Sequence, residues 1–125
     1  MIRTLCLVAL GGAAGSALRY LASIGALRLV GSGFPYATLF VNVVGSFLMG
    51  LLVVALVERG GGRFAPLVLT GVLGGFTTFS AFSLDTLALV EKGQGALAAT
   101  YVVASVGLSL VAIVAGLALG RGFLA

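Results

Sequence analysis

Histidine and tryptophan are absent from this chain of 125 residues, which has one cysteine and two prolines. A single thiol excludes an internal disulfide, and without histidine or further cysteines the usual side-chain metal sites are excluded too. No phosphate-binding loop is present, so the sequence does not predict an enzyme. Charged residues make up 8% of the chain, against about 25% in soluble domains, which excludes an ordinary soluble fold.

Hydrophobic residues account for 61% of the chain, and they form long uncharged runs. The runs at residues 29–57, 64–84 and 93–120 each exceed the roughly 20 residues that a membrane-spanning helix requires. The first run follows Arg3 as a signal peptide would, but it is too long for one, so we expect it to be retained. The sequence therefore predicts one all-α membrane domain, residues 1–125, with spans at about residues 5–28, 37–57, 66–89 and 96–119.

The basic residues lie at the ends of these spans and form no patch, so the net charge of +4 does not predict a nucleic-acid partner. Orientation normally follows an excess of Lys and Arg on the cytoplasmic side. Four basic residues fall on the side of the termini, and three on the other side if Arg19 is counted. This near balance predicts insertion in both orientations and an antiparallel dimer. The 20 glycines also favour close helix contacts and an oligomer.

The segment from Gly71 to Phe82 is unusual for a membrane span, because paired glycines are followed by two threonines. A buried backbone group that loses its helical hydrogen bond in lipid costs several kcal/mol. Helix-breaking sequences are tolerated where the freed groups face an ion or a wet cavity. The third span is therefore predicted to break near its middle.

Polar residues recur at helical spacing along the second and fourth spans, so each set shares one face. Small and hydroxyl residues at such spacing commonly mediate helix packing, with bonds worth about 1 kcal/mol. A file of uncharged donors also suits a small anion that must be held weakly and released. The spacing alone leaves both interpretations open. The two faces comprise Thr38, Asn42, Ser46 and Gly50 in one span, and Tyr101, Ser105 and Ser109 in the other.

Phe79, Phe82 and Arg19 allow two interpretations each. Phe79 and Phe82 share a face, where they either pack in a core or in lipid, or turn their positive ring edges toward an anion. Arg19 either extends to the membrane interface or raises the anion concentration near a pore mouth. Asp85 lies near a span end, where a carboxylate is usually solvated.

Three motifs together resemble those of the Fluc (CrcB) fluoride channels, and the resemblance covers all four spans. Ala37 and Ala81 depart from the residues common in that family, glycine and threonine, at positions that carry none of the assigned roles. The motifs are Gly11-Gly12-x-x-Gly15-x-x-x-Arg19-Tyr20, Pro35-Tyr36-Ala37-Thr38-Leu39-Phe40-Val41-Asn42-x-x-Gly45-Ser46-Phe47, and Gly71-x-x-Gly74-Gly75-Phe76-Thr77-Thr78-Phe79-Ser80-Ala81-Phe82-Ser83.

The resemblance implies an antiparallel, dual-topology homodimer in a prokaryotic plasma or inner membrane. Two pores would pass fluoride passively, exclude chloride and export fluoride from the cytoplasm. Arg19 corresponds to a basic residue of the vestibule, and the backbone carbonyls of Gly74 and Thr77 correspond to the ligands of a central structural sodium ion. The implied pore residues are Thr38, Asn42, Phe79, Ser80, Phe82, Ser83, Tyr101, Ser105 and Ser109.

Two other functions fit the composition less well. A small multidrug transporter is also a four-span, dual-topology dimer, but proton-coupled exchange requires a carboxylate inside the membrane. The first span has no carboxylate, and its only internal charge, Arg19, has the opposite sign. A structural or assembly protein would leave Asn42 and the break in the third span unexplained.

Overall fold

The computed structural model describes residues 1–60 and 62–123 of the chain, and it contains four helices long and apolar enough to cross a membrane. They are Ile2–Val30, Tyr36–Glu58, Gly62–Glu91 and Gly95–Phe123. Each predicted span lies inside one of them, so the all-helical, four-span architecture is confirmed. The helices extend up to a few residues beyond the predicted spans, because a helix continues past the edge of the bilayer core.

The regular helices are α1, Ile2–Val30; α2, Tyr36–Val53; α3, Gly74–Phe76; α4, Phe79–Glu91; and α5, Gly95–Phe123. The second span continues beyond α2 as a π-helical segment, Val54–Glu58. The third span begins with a 3₁₀ turn, Gly62–Phe64, and a π-helical segment, Pro66–Leu73, before α3. Thus the third span consists of a first half that ends with α3 and a second half, α4.

The third span breaks after Phe76, as the sequence predicts, but not at the paired glycines. Gly74 is helical, whereas Thr77 and Thr78 have extended backbones, with ψ angles of 159° and 125°. Thr78 then caps α4, because its hydroxyl oxygen accepts a hydrogen bond from the backbone N–H of Ala81 at 3.1 Å. The two threonines, and not the paired glycines, therefore carry the break that the sequence predicts near the middle of the span.

The glycines of the third span instead permit close packing against α1. A Cβ atom built on Gly75 would lie 2.7 Å from the carbonyl oxygen of Gly12. On α1, a Cβ on Gly15 would collide with the backbone of Val72 and Phe76. The small-residue pattern of the first span therefore serves helix contact, as predicted.

The second and fourth spans pack through glycines in the same way. A Cβ on Gly50 would collide with the carbonyl oxygen of Ile113, and one on Gly116 with that of Phe47. Gly50 therefore belongs to the helix contact between α2 and α5, although it continues the polar face of α2 in sequence.

An aromatic cluster joins α4 to α5 above this contact. Phe82 and Tyr101 are buried with Leu89 and Ala98, and the rings of Phe82 and Tyr101 lie 5.2 Å apart between centroids. α4 ends in a Schellman motif, in which Gly93 adopts a positive φ of 77° and Gln94 N–H bonds to the Leu89 carbonyl. The fold thus fixes both ends of α4 close to α5.

The close approach of α1 to the third span predicts different effects of two alanine substitutions on one helix. Gly15→Ala should destabilise the protein by about 1–3 kcal/mol, because the added methyl group meets backbone atoms that cannot move independently. Gly25→Ala should have little effect, since no atom lies within 4 Å of the added Cβ. Thermal unfolding of the purified protein in detergent measures the difference, and equal melting temperatures for the two variants would contradict the packing described.

Candidate functional site

A groove of about 300 Å³ lies between α2, α5 and the break in the third span. None of the described residues that line it is ionisable, so its polar groups are hydroxyls, a carboxamide and backbone atoms. Its walls consist of Asn42, Gly45, Ser46 and Met49 from α2; Thr77, Thr78, Phe79 and Phe82 from the break and α4; and Ser105, Val106, Ser109 and Ile113 from α5.

Asn42 forms two hydrogen bonds to the backbone of Thr78. Its Oδ1 accepts the Thr78 N–H at 2.8 Å, and its Nδ2 donates to the Thr78 carbonyl at 3.0 Å. The carboxamide therefore binds both the N–H and the carbonyl of an extended residue, as a neighbouring β-strand would. Since one bond is accepted and the other donated, the bonds also identify which side-chain atom is oxygen and which is nitrogen. One N–H of Nδ2 is not used in these two bonds, and Asn42 is part of the groove wall.

Two hydrogen bonds, one to Asn42 and one to the Thr78 hydroxyl, redirect backbone amides that would otherwise continue the helix. In a continuous helix the Thr78 N–H would bond to the Gly74 carbonyl, but it donates to Asn42. Likewise, the Ala81 N–H would bond to the Thr77 carbonyl, but it donates to the hydroxyl of Thr78. The two carbonyls that the resemblance assigns to a cation are thus both released from the helical pattern, and Gly74 lies on an exposed surface of the chain.

Phe79 and Phe82 both line the groove, with ring centroids 5.5 Å apart and an angle of 53° between the rings. Phe82 is only 8% exposed, because it packs against Tyr101. Phe79 is 77% exposed and projects from the chain at the open side of the groove. The two rings share a face, as their spacing predicts, but only Phe82 belongs to the core.

The fourth-span polar residues divide between the groove and the core. Ser105 and Ser109 line the groove, and Ser105 is 5% exposed. Among the described residues, no group bonds to the Ser105 hydroxyl. Tyr101 is fully buried outside the groove, and its hydroxyl donates to Asp85 Oδ2 at 3.1 Å. Tyr101 and Ser105 are therefore one turn apart but have different surroundings.

Thr38 and Asp85 line a second cavity of about 260 Å³, which lies between the loop after α1 and the end of α4. Lys92 also contributes to its wall. This cavity is separate from the groove. Thr38 also lines a small cavity of about 30 Å³ together with Arg19 and Thr78, so its contact with the groove wall is at Thr78 alone. Tyr101 lies between the two cavities, since it contacts Phe82 with its ring and Asp85 with its hydroxyl.

Three other predicted residues also lie outside the groove. Ser80 and Ser83 are exposed, and the Ser83 hydroxyl donates back to the Phe79 carbonyl at 3.0 Å. The Ser80 hydroxyl lies 3.2 Å from that of Thr78. Arg19 is half-buried, and its Nε donates to the Gly75 carbonyl at 3.0 Å instead of extending past the end of α1.

Two residues that sequence reasoning did not assign to the site hold other predicted residues in place: Thr78 within the groove, and Asp85 in the second cavity. Thr78 donates one hydrogen bond to Asn42, accepts another from it, and caps α4. Threonine is a favoured N-cap, so a threonine just before a helical apolar run was a usable signal. Asp85 binds Tyr101, and no local pattern indicated this contact, because it joins residues in two different helices.

The sequence model of a family described as "CrcB-like protein, Camphor Resistance (CrcB)" matches residues 6–117. The chain belongs to the CrcB family. Similar CrcB proteins come from Cereibacter sphaeroides strain ATCC 17029, 59% identical over the whole of both chains, and Paracoccus denitrificans strain Pd 1222, 57% identical over the same extent. A third, from Rhizobium meliloti strain 1021, is 54% identical over 92% of this chain and 94% of its own length.

All three CrcB relatives bear the name "Fluoride-specific ion channel FluC". The family resemblance drawn from the three motifs is therefore confirmed. The family comprises ion channels and not enzymes, as the sequence predicts. With its four apolar helices, the chain is a multi-pass membrane protein of the prokaryotic CrcB type.

The pairing of Asn42 with Thr78 predicts that Asn42→Asp destabilises the protein. The substitution places a second carboxylate oxygen opposite the Thr78 carbonyl and removes a donor, which should cost about 1–3 kcal/mol or more if the acid stays charged. Ser46→Ala, one turn away in the same groove, is the matched control. Denaturation in detergent measures both variants, and an Asn42→Asp variant as stable as the control would contradict the pairing.

Proposed function

We propose that this protein is a fluoride-selective, passive ion channel that lets fluoride leave the cytoplasm. The name of the relatives supports fluoride as the transported ion, and the uncharged groove supports passive conduction as the mechanism. The observation on which the proposal chiefly depends is Ser105, a residue of the groove wall whose buried hydroxyl has no partner among the described residues. A buried donor without a partner is unfavourable, and a small anion in the groove would satisfy it.

Uncharged donors suit conduction because they bind an anion without trapping it. The free N–H of Asn42 and the hydroxyls of Ser105 and Ser109 are such donors, and they lie along one groove. Fluoride is the smallest halide and accepts strong hydrogen bonds, so a narrow row of donors favours it over chloride. Edges of the Phe79 and Phe82 rings carry partial positive charge and would add to this preference.

Passive transport fits the groove better than coupled transport does. A proton-coupled carrier needs a carboxylate in its substrate path. Asp85 accepts the hydroxyl of Tyr101 and lines the other cavity, so no described carboxylate lies in the groove. With an inside-negative membrane potential, an anion that enters the path would be driven outward.

We further propose that two chains form an antiparallel homodimer with two pores. In one chain Phe79 is largely exposed and the groove is open on that side, so a partner chain would complete its wall. Arg19 is bound to Gly75, so it is not counted among the basic residues at the span ends. Four basic residues then lie on the side of the termini and two on the other side. That small excess still permits insertion in both orientations. A C-terminal tag accessible from only one side of the membrane would exclude dual topology.

A structural sodium ion is proposed between the two chains. The carbonyl oxygens of Gly74 and Thr77 fit this role, because the break releases both and hard cations prefer oxygen ligands. Two oxygens from each chain would meet on the two-fold axis. Prolonged removal of sodium should then reduce fluoride efflux, whereas reversal of the sodium gradient should not. Dependence on the gradient's direction would indicate a coupled carrier instead.

Efflux from liposomes that contain the purified protein tests the proposal. Fluoride should leave rapidly and chloride should not. Phe79→Ile should slow fluoride by about tenfold, since a loss of about 1.4 kcal/mol in ion stabilisation changes a rate by a factor of ten. Phe40→Ile is the matched control, because Phe40 is 56% exposed and lines neither cavity.

Equal efflux of chloride and fluoride would overturn the assignment of selectivity. Equal fluoride efflux from the two phenylalanine variants would show that the Phe79 ring has no role in conduction.

A further inference from the structure

The side chain of Arg19 lies inside the membrane-spanning part of α1 and reaches the break in the third span. Eleven residues separate it from Val30, the last residue of α1, which corresponds to about 16 Å along the helix axis. Its Nε donates to the Gly75 carbonyl at 3.0 Å, across 56 positions in sequence. A charged side chain at this depth is costly unless it is paired, so the bond requires a physical explanation.

The Gly75 carbonyl is available because of the break. In a continuous helix it would accept the N–H of Phe79, but Thr77 and Thr78 are extended and carry Phe79 away from the helix axis. The carbonyls at the end of a helical segment bear a partial negative charge, which a cation stabilises. Arg19 supplies that cation and an N–H donor in one group.

α1 is close enough for this contact because of the glycines between the helices. A Cβ on Gly75 would lie 2.7 Å from the Gly12 carbonyl oxygen and 3.2 Å from the Ser16 amide nitrogen. Gly12 and Ser16 are one turn apart on α1, and Arg19 lies almost one turn further along the same helix. The guanidinium therefore reaches Gly75 from a part of α1 that is closely packed against the third span.

We infer that Arg19 is a positioning residue, which holds the first half of the third span in its terminated form through the Gly75 carbonyl. The break is thus held from two sides, by Arg19 of α1 at Gly75 and by Asn42 of α2 at Thr78. Arg19 binds the Gly75 carbonyl, which lies next to that of Gly74 in sequence. Its effect on conduction rests on the proposed function, but its effect on the backbone does not.

A purely electrostatic role for Arg19, such as attracting anions to a pore mouth, would depend on its charge and not on the donor at Nε. Three substitutions separate these roles. Arg19→Gln places an amide nitrogen at the same number of bonds from Cα as Nε, without the charge. Arg19→Met has the same length but no donor and no charge, and Arg19→Lys keeps the charge but moves its nitrogen one bond further out.

Hydrogen exchange of the backbone amides of residues 76–82, measured by mass spectrometry on the full chain in lipid nanodiscs, is the decisive test. Arg19→Met should accelerate exchange in this segment by about tenfold, as expected for the loss of a hydrogen bond to a charged group. Arg19→Gln keeps the donor but loses the charge, so its exchange should be clearly slower than that of Arg19→Met and nearer to the native rate. Fluoride efflux from liposomes should follow the same order, with Arg19→Gln well above Arg19→Met.

Native exchange rates in Arg19→Met would overturn the inference. A second result would also overturn it: native exchange and native fluoride efflux in Arg19→Lys, together with an Arg19→Gln variant that behaves like Arg19→Met. The charge of residue 19, and not its donor at Nε, would then be what the protein requires. If Arg19→Met does not fold, the comparison of the glutamine and lysine variants decides. Exchange needs no ion transport, so absence of fluoride efflux from the native protein would contradict the proposed function and leave this test valid.

Discussion

The rest of the structure depends on two hydrogen bonds between the Asn42 carboxamide and the backbone of Thr78. In the interior of a bilayer no water is available to bind the groups that a broken helix exposes, so a break survives only where other helices satisfy them. Asn42 satisfies the N–H and the carbonyl of the extended residue together. In doing so it directs Phe79 and Phe82 toward the groove and releases the Gly74 carbonyl, while the hydroxyl of Thr78 releases the Thr77 carbonyl by accepting the Ala81 N–H.

The break therefore joins two features that differ in chemistry. On one side, hydroxyl residues, Asn42 and two phenylalanines border a groove without ionisable side chains. On the other, the carbonyls at the end of a helical segment carry a partial negative charge. Thr77 and Thr78 lie between the groove wall and the helix-end carbonyls. The single break at these residues therefore gives rise to both features.

The sequence was informative wherever one residue type has one physical use in a membrane. Uncharged runs long enough to cross a bilayer predict membrane spans, and Gly-Gly-Phe-Thr-Thr predicts a break in the third span. The structure has both the spans and the break. The exact position of the break was not predictable, because a glycine can either interrupt a helix or allow another helix to pack closely against it. Gly75 admits α1, and only the position of Gly12 reveals this.

Periodicity also failed to distinguish a groove from a core. Tyr101, Ser105 and Ser109 share a helix face, yet Tyr101 is buried with its hydroxyl on Asp85 while the two serines border the groove. Likewise, Arg19 could have extended to the membrane interface, and its bond to Gly75 depends on a carbonyl 56 residues away. These assignments require the relative positions of whole helices, which local spacing does not contain.

Asn42 is the only asparagine in the chain, so its side chain can be observed alone. Protein labelled with ¹⁵N at asparagine should give one side-chain NH₂ group in an NMR spectrum. The account predicts two well-separated proton signals, one of which exchanges slowly with water because it is bonded to the Thr78 carbonyl. Two protons with the shifts and rapid exchange of a free carboxamide would contradict it.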